Sequence, residues 1–182
     1  MTEEAEELTT RQFYLEAACD ADLLSLFEAA RWAPSAFNEQ PWRFIYSRKG
    51  SEGYDKIFNA LLPMNQVWAV NAPVLVLVVV KLNSSHNEHV NRHAAHDLGL
   101  AMGNFSAQAT HLGLNLHQMG GFKQQEAQEA FHIPAGYEAM TITSVGYLGS
   151  EDFLSEALQQ REHAPRVRKE LSEFAFENEW KQ

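Results

Sequence analysis

The chain has 182 residues, 45% of them hydrophobic and 11% aromatic, enough to bury one substantial core and suited to a single domain. Fourteen basic against 24 acidic residues leave a net charge of −10, and no Lys/Arg cluster could track a phosphate backbone, which argues against nucleic acid as a partner. A lone cysteine, Cys19, rules out an internal disulfide, and the longest apolar run, residues 72–80, falls far short of the ~20 residues a membrane-spanning helix needs. The acidic start "MTEEAEELTT" lacks the basic and apolar regions of a secretory signal, so a cytoplasmic setting is expected.

The first element is expected in "DADLLSLFEAARWAP", where Leu23, Leu24, Phe27, Ala30 and Trp32 recur at near-helical spacing and Pro34 stops the pattern. A loop then leads into "WRFIYS", whose alternation puts Trp42, Phe44 and Tyr46 on one face of a strand. "YDKIFNALLPMNQVWAV" reads as helix interrupted by Pro63. The run at 73–81 is apolar on both faces and β-branched, which predicts a strand in the middle of a sheet with helices on either side. From Asn87 to Gly113 the recurrence of Ala94, Leu98, Ala101, Phe105, Ala109 and Leu112 predicts one long helix, whose small residues suit close packing in the centre or at a subunit interface. A short strand "LGLNLHQM", a helix "KQQEAQEAFH" closed by Pro134, a strand "MTITSVGYLG" and a tail from Glu151 complete the chain. Mixed helix and strand in this order predicts an α+β or α/β fold.

Four constellations could carry chemistry. The Gly120–Gly121 pair follows an apolar strand and would admit positive φ or a flat ligand against the backbone; taken alone it reads as a turn. No GxGxxG accompanies it, so a Rossmann dinucleotide site has no support. In "PRVR", Arg166 and Arg168 alternate in an extended segment and would project two forked cations to one side, as a phosphate site requires; taken alone they are a solvated basic patch. Arg11, in "TTRQF", is a third candidate cation. His86, His89, His93 and His96 have the spacing of one helical face, but without HExxH, a cysteine pair or a carboxylate at ligand spacing they read as a solvated face, and no metal is assigned. In "ARWAPSAFNEQPWRF", Pro34 and Pro41 fix the short polar groups Ser35, Asn38 and Gln40 in advance of a ligand; the plainer alternative is a capped helix-to-strand corner.

"LFEAARWAPSAFNEQPWRF" resembles the signature of the FMN-dependent nitroreductase family: an alanine-rich helix, then APS, a small residue, Asn, any residue and QPW. "MNQVWAVNAPVLVLVV", "HDLGLAMGNFSAQATHLGLNLHQMGGF", "IPAGYEAMTITSVGYLG" and "PRVRKELSEFAFENEW" follow in family order, so the resemblance runs from about Arg11 to Trp180. It implies an α+β fold with a mixed, largely antiparallel sheet flanked by helices, one domain over 1–182 with a flexible start at 1–10, and an intertwined homodimer in which residues 150–182 pack on the partner subunit. It further implies FMN at each subunit junction. Arg166 and Arg168 would hold the flavin phosphate; Pro34, Ser35, Ala36 and Asn38 would form a wall contributed by the other subunit. Asn65 would meet the pyrimidine edge, Gly121 with Gly120 beside it would offer a backbone N–H to N5, and Arg11 would stabilise the reduced ring near N1 and O2. The activity implied is ping-pong hydride transfer from NADH or NADPH through the flavin to nitroaromatics, quinones or similar acceptors, with no catalytic protein nucleophile. Two other readings are a non-catalytic protein that stores FMN or senses redox state and, from the histidine series alone, a metal-responsive dimer. Three departures from the family pattern stand out. Glu7 and Thr9 occupy the positions of an expected arginine and serine, Trp68 replaces a lysine found in some relatives, and the middle region is too short for a full helical cover over the active site.

Overall fold

The computed structural model describes residues 18–180, which form one sheet between two layers of helices. Arg11, Glu7, Thr9 and the start at 1–10 lie outside the described residues. Helix α1 (Asp20–Arg31) begins where the Cys19 sulfur accepts the Asp22 N–H at 3.4 Å, and it buries Leu23, Leu26 and Ala30. The apolar spacing placed Leu24 and Trp32 inward; they are 54% and 72% exposed, and Leu26 takes the inward position.

Strands β1 (Trp42–Arg48), β2 (Val74–Lys81), β3 (Leu114–Met119) and β4 (Tyr137–Tyr147) pair in the order β1-β2-β4-β3, and every pair is antiparallel. The expected parallel component of a mixed sheet is therefore absent among the described residues. Strand β2 is central and its alternation separates two cores, as its sequence required: Val74, Val76, Val78 and Val80 enter one, Leu75, Leu77 and Val79 the other.

Helices α2 (Glu52–Ala60) and α3 (Pro63–Ala69), split by Pro63 as expected, cover the second face together with α5 (Gln124–Ala130). Proline suits the first helical turn, where its missing N–H leaves no bond unmade, so the break in one helix becomes the start of the next. Helix α4 (Ala94–His111) lies with α1 over the first face, and its Phe105 is fully buried, with ring centroids 5.5 Å from Phe27 and 6.2 Å from Phe44. A last helix, α6 (Glu156–His163), leads to an extended, exposed tail.

The long helix expected from Asn87 begins seven residues later, at Ala94. Side-chain amides capture the intervening backbone: Asn87 Oδ1 accepts the His89 N–H and Asn91 Oδ1 accepts the His93 N–H, each at 3.1 Å. Backbone bonds from Ser84 N to His89 O and from Asn91 N to Leu82 O fold the segment into a loop. Asparagine offers the backbone this alternative to helix, and here the alternative wins. His86, His89 and His93 thus stand on a loop and only His96 on the helix, which overturns the single histidine face. Among the described residues no three His, Cys, Asp or Glu side chains gather as metal ligands.

Candidate functional site

The corner between α1 and β1 is held in an uncommon backbone conformation. Phe37, Asn38 and Gln40 have φ of 53°, 56° and 46°, a region that non-glycine residues rarely enter and that must be enforced from outside. The enforcement is visible. The Ala36 N–H donates to the Asp97 carboxylate at 2.9 Å, and Asp97 is only 3% exposed on the buried stripe of α4. The Gln40 N–H donates to Ser35 Oγ at 3.0 Å, and the Gln40 side chain returns to Asn38 O at 3.2 Å. Lys81 N–H anchors Pro41 O at 2.8 Å.

Glu39 ties the corner to the 83–93 loop. Its carboxylate accepts the Ser84 hydroxyl and, at 2.9 Å, the Ser85 N–H, and its side chain is 3% exposed. These hydrogen bonds, that from Ser84 foremost, lower its pKa from 4.5 to about 2. Because the folded-state value lies below the unfolded one, this stabilisation is present above about pH 4.5 and is lost as pH falls toward 2. Thermal melts across that interval are expected to fall more steeply for the wild type than for Glu39→Gln; parallel curves would show that Glu39 is not an acid-labile tie.

The capped-corner reading holds. Ser35 and Gln40 cap the backbone, yet the Ser35 hydroxyl keeps its proton for a further acceptor, and the exposed Asn38 carboxamide has no partner among the described residues. Pro34 is exposed and Ala36 half-buried beside them.

A second group forms where α3 meets the end of β3. The Asn65 Nδ2 donates to Gly121 O at 3.0 Å, although the two residues are 56 positions apart, and Leu62 N–H donates to the same oxygen. Among the described residues Asn65 Oδ1 and the Gly121 N–H have no partner, so one acceptor and one donor stand ready side by side. The expectation of positive φ at Gly120 or Gly121 does not hold; what requires glycine at 121 is the chain itself, since a Cβ there would lie 2.8 Å from Asn65 Nδ2. At Gly120 a Cβ would meet open space.

Arg166 and Arg168 lie in the exposed tail, where Arg168 Nη1 bonds the carbonyl of Val167 at 3.0 Å. The fold brings Asn65 together with Gly121, but the corner at Ser35–Asn38 enters β1 at one edge of the sheet while Gly120–Gly121 leaves β3 at the other. Three strand spacings, roughly 14 Å, separate those edges. Sequence reasoning missed Asp97 and Glu39. Asp97 could have been found, since an ionisable residue on the same stripe as Ala94, Leu98 and Ala101 needs a partner when buried.

A model of the nitroreductase family matches residues 8–67 and 48–147. The chain belongs to this family. An uncharacterized 15.4 kDa protein from the ask 5′ region of Mycolicibacterium smegmatis is 32% identical over 76% of this chain and 97% of the relative. A Streptomyces coelicolor protein, provisionally named an NADH dehydrogenase/NAD(P)H nitroreductase, is 29% identical over 70% of this chain and 72% of its own length. Among solved structures, an oxidoreductase containing FMN is 34% identical and superposes with a TM-score of 0.91, covering 97% of this chain and 90% of the other. A nitroreductase family protein from Clostridium difficile 630, 23% identical over 99% of this chain and 100% of the other, shares the fold at a TM-score of 0.75. Within this nitroreductase, Trp68 is 1% exposed and packs in the core with its ring 4.7 Å from that of His117. It replaces a cation in the sequence pattern without presenting its indole to solvent.

Proposed function

We propose that this chain is an FMN-dependent oxidoreductase that passes hydride from NADH or NADPH to nitroaromatics, quinones or similar electron-poor acceptors. The observation that carries this reading is the pairing of Asn65 with Gly121, which leaves an amide oxygen and a backbone N–H without partners among the described residues. A flavin ring presents the complement: an imide N–H at its pyrimidine edge and an acceptor nitrogen at N5. Asn65 Oδ1 and the Gly121 N–H are an acceptor and a donor of the kinds those two flavin positions require, so the residues present fit the group. When bound, FMN supplies reversible two-electron hydride acceptance and donation. Asn65 Oδ1 holds the imide edge, the Gly121 N–H orients N5, and Arg166 and Arg168 bind the phosphate, with Arg11 as a further cation near the ring. Gly121→Val is expected to push the Asn65 amide aside and weaken FMN binding by roughly tenfold or more, while overpacking costs the fold about 1–3 kcal/mol. A flavin fluorescence titration checks this, and unchanged affinity would remove Gly121 from the site.

The separation of the corner from Gly121 within one protomer supports a homodimer in which a second copy supplies Pro34, Ser35, Ala36 and Asn38. Two unpartnered surfaces favour the same arrangement: the outer side of α4, where Gly99 and Gly103 carry no side chain, and the tail, where Val167, Leu171, Phe174 and Trp180 are 59% to 86% exposed. We read residues 150–182 as an arm that packs on the partner subunit. No described helix is long and apolar enough to cross a membrane. A pyridine-nucleotide donor and a single free cysteine suit a cytoplasmic setting. Sedimentation velocity followed at a flavin wavelength tests the shared site: flavin is expected to travel with a dimer, and a monomer carrying full FMN would contradict it.

A further inference from the structure

The 83–93 loop and the corner together border an open cavity of about 450 Å³. Phe37 and Val90 are among its lining residues and are 87% and 79% exposed as they stand. Exposure of that extent on two large apolar residues, facing one hollow, is the mark of a surface that a ligand covers.

Arg92 makes no hydrogen bond or ion pair with any described residue, so its guanidinium is free to fork onto an anion. Asn91 Oδ1 is used by the His93 N–H, which fixes the amide orientation, and its Nδ2 is buried without a partner among the described residues. Asn91 Nδ2 is thus out of reach from the cavity, and the anion contact falls to Arg92. Glu39 is the single acid on the wall, and Ser84, Ser85 and, at 3.8 Å, His86 Nε2 already surround its carboxylate. Thus a chain of net charge −10 lines one hollow with a cation that has no partner among the described residues and with several imidazoles.

We propose that this cavity binds aromatic carboxylates, with the ring lying on Phe37 and Val90 and the carboxylate held by Arg92. Phe37 sits between Ser35 and Asn38, so on the flavin reading, and resting on it, the cavity selects acidic aromatic electron acceptors. In a nitro probe, hydride from NAD(P)H delivers two electrons and one proton, solvent delivers a second proton, and the nitroso compound and water result.

Two measurements on the FMN-loaded protein separate this proposal from the flavin reading. Calorimetric titration with benzoate needs no turnover: saturable binding is expected in the wild type, weakened roughly tenfold in Arg92→Gln, the loss typical of one charge-assisted contact. No binding, or equal binding by the variant, would overturn the proposal. In steady state, 4-nitrobenzoate is expected to show a KM roughly tenfold below that of uncharged 4-nitrobenzamide, a gap that Arg92→Gln closes by raising only the first. A variant that raises both alike would assign Arg92 a structural role instead. If neither NADH nor NADPH reduces the flavin, the oxidoreductase reading fails while the benzoate titration still decides the site.

Discussion

Replacing Arg166 and Arg168 together by alanine is expected to weaken FMN binding by roughly a hundredfold while leaving the thermal midpoint of the flavin-free protein within a few degrees of wild type. On the proposed reading each guanidinium would contribute a charge-assisted hydrogen bond to the flavin phosphate, and each such bond accounts for about a factor of ten or more in affinity. Both residues lie on an exposed, extended stretch with alternating side chains, so the fold does not depend on them for packing. Fluorescence titration of flavin-stripped protein reads the change, and rising ionic strength should weaken the wild type more than the double variant. Full retention of FMN would move the phosphate site elsewhere on the chain.

Phe105→Ala is expected to be the most damaging single substitution in the scaffold, at roughly 3–5 kcal/mol. Its ring is fully buried where α4 packs against β1 and α1, with centroids 5.5 Å from Phe27 and 6.2 Å from Phe44. Against a total stability of about 5–15 kcal/mol, that loss takes a large fraction of the reserve. It has a functional consequence as well. Asp97, two turns earlier on α4, holds the corner through the Ala36 N–H, so a loosened helix releases the strained residues 37, 38 and 40. Chemical denaturation gives the stability change, and a loss below about 1 kcal/mol would mean that α4 is not the keystone described.

How much of this could be read in the sequence depended on whether a feature is local. The central place of β2 was legible because a strand apolar on both faces has only one environment that suits it. Pro63 likewise announced the division between α2 and α3. The start of α4 was not legible, because apolar periodicity ran back toward Asn87 while the Asn87 and Asn91 side chains closed turns that compete with helix. The outward turn of Leu24 and Trp32 reflects a helix whose inward stripe passes through Leu26, a choice made by the sheet beneath it.

The site divided in the same way. The motif residues Ser35, Asn38, Asn65 and Gly121 were marked by resemblance, but what holds them was not. The left-handed backbone at Phe37 and Asn38 arises from Asp97 and Glu39, partners 61 and 45 positions removed from the atoms they bind, and no local pattern carries that distance. For Gly121 the expected reason, positive φ, gave way to another: the amide of Asn65 fills the space a side chain would take.

The most direct test of the central claim is an anaerobic absorbance spectrum of the FMN-loaded protein, recorded before and after NADH and then NADPH. A flavin band that bleaches with one donor and returns on adding 4-nitrobenzoate is the predicted result, and it identifies the donor in the same experiment. A flavin band unmoved by both donors would contradict the oxidoreductase reading and leave a protein that binds FMN without using it.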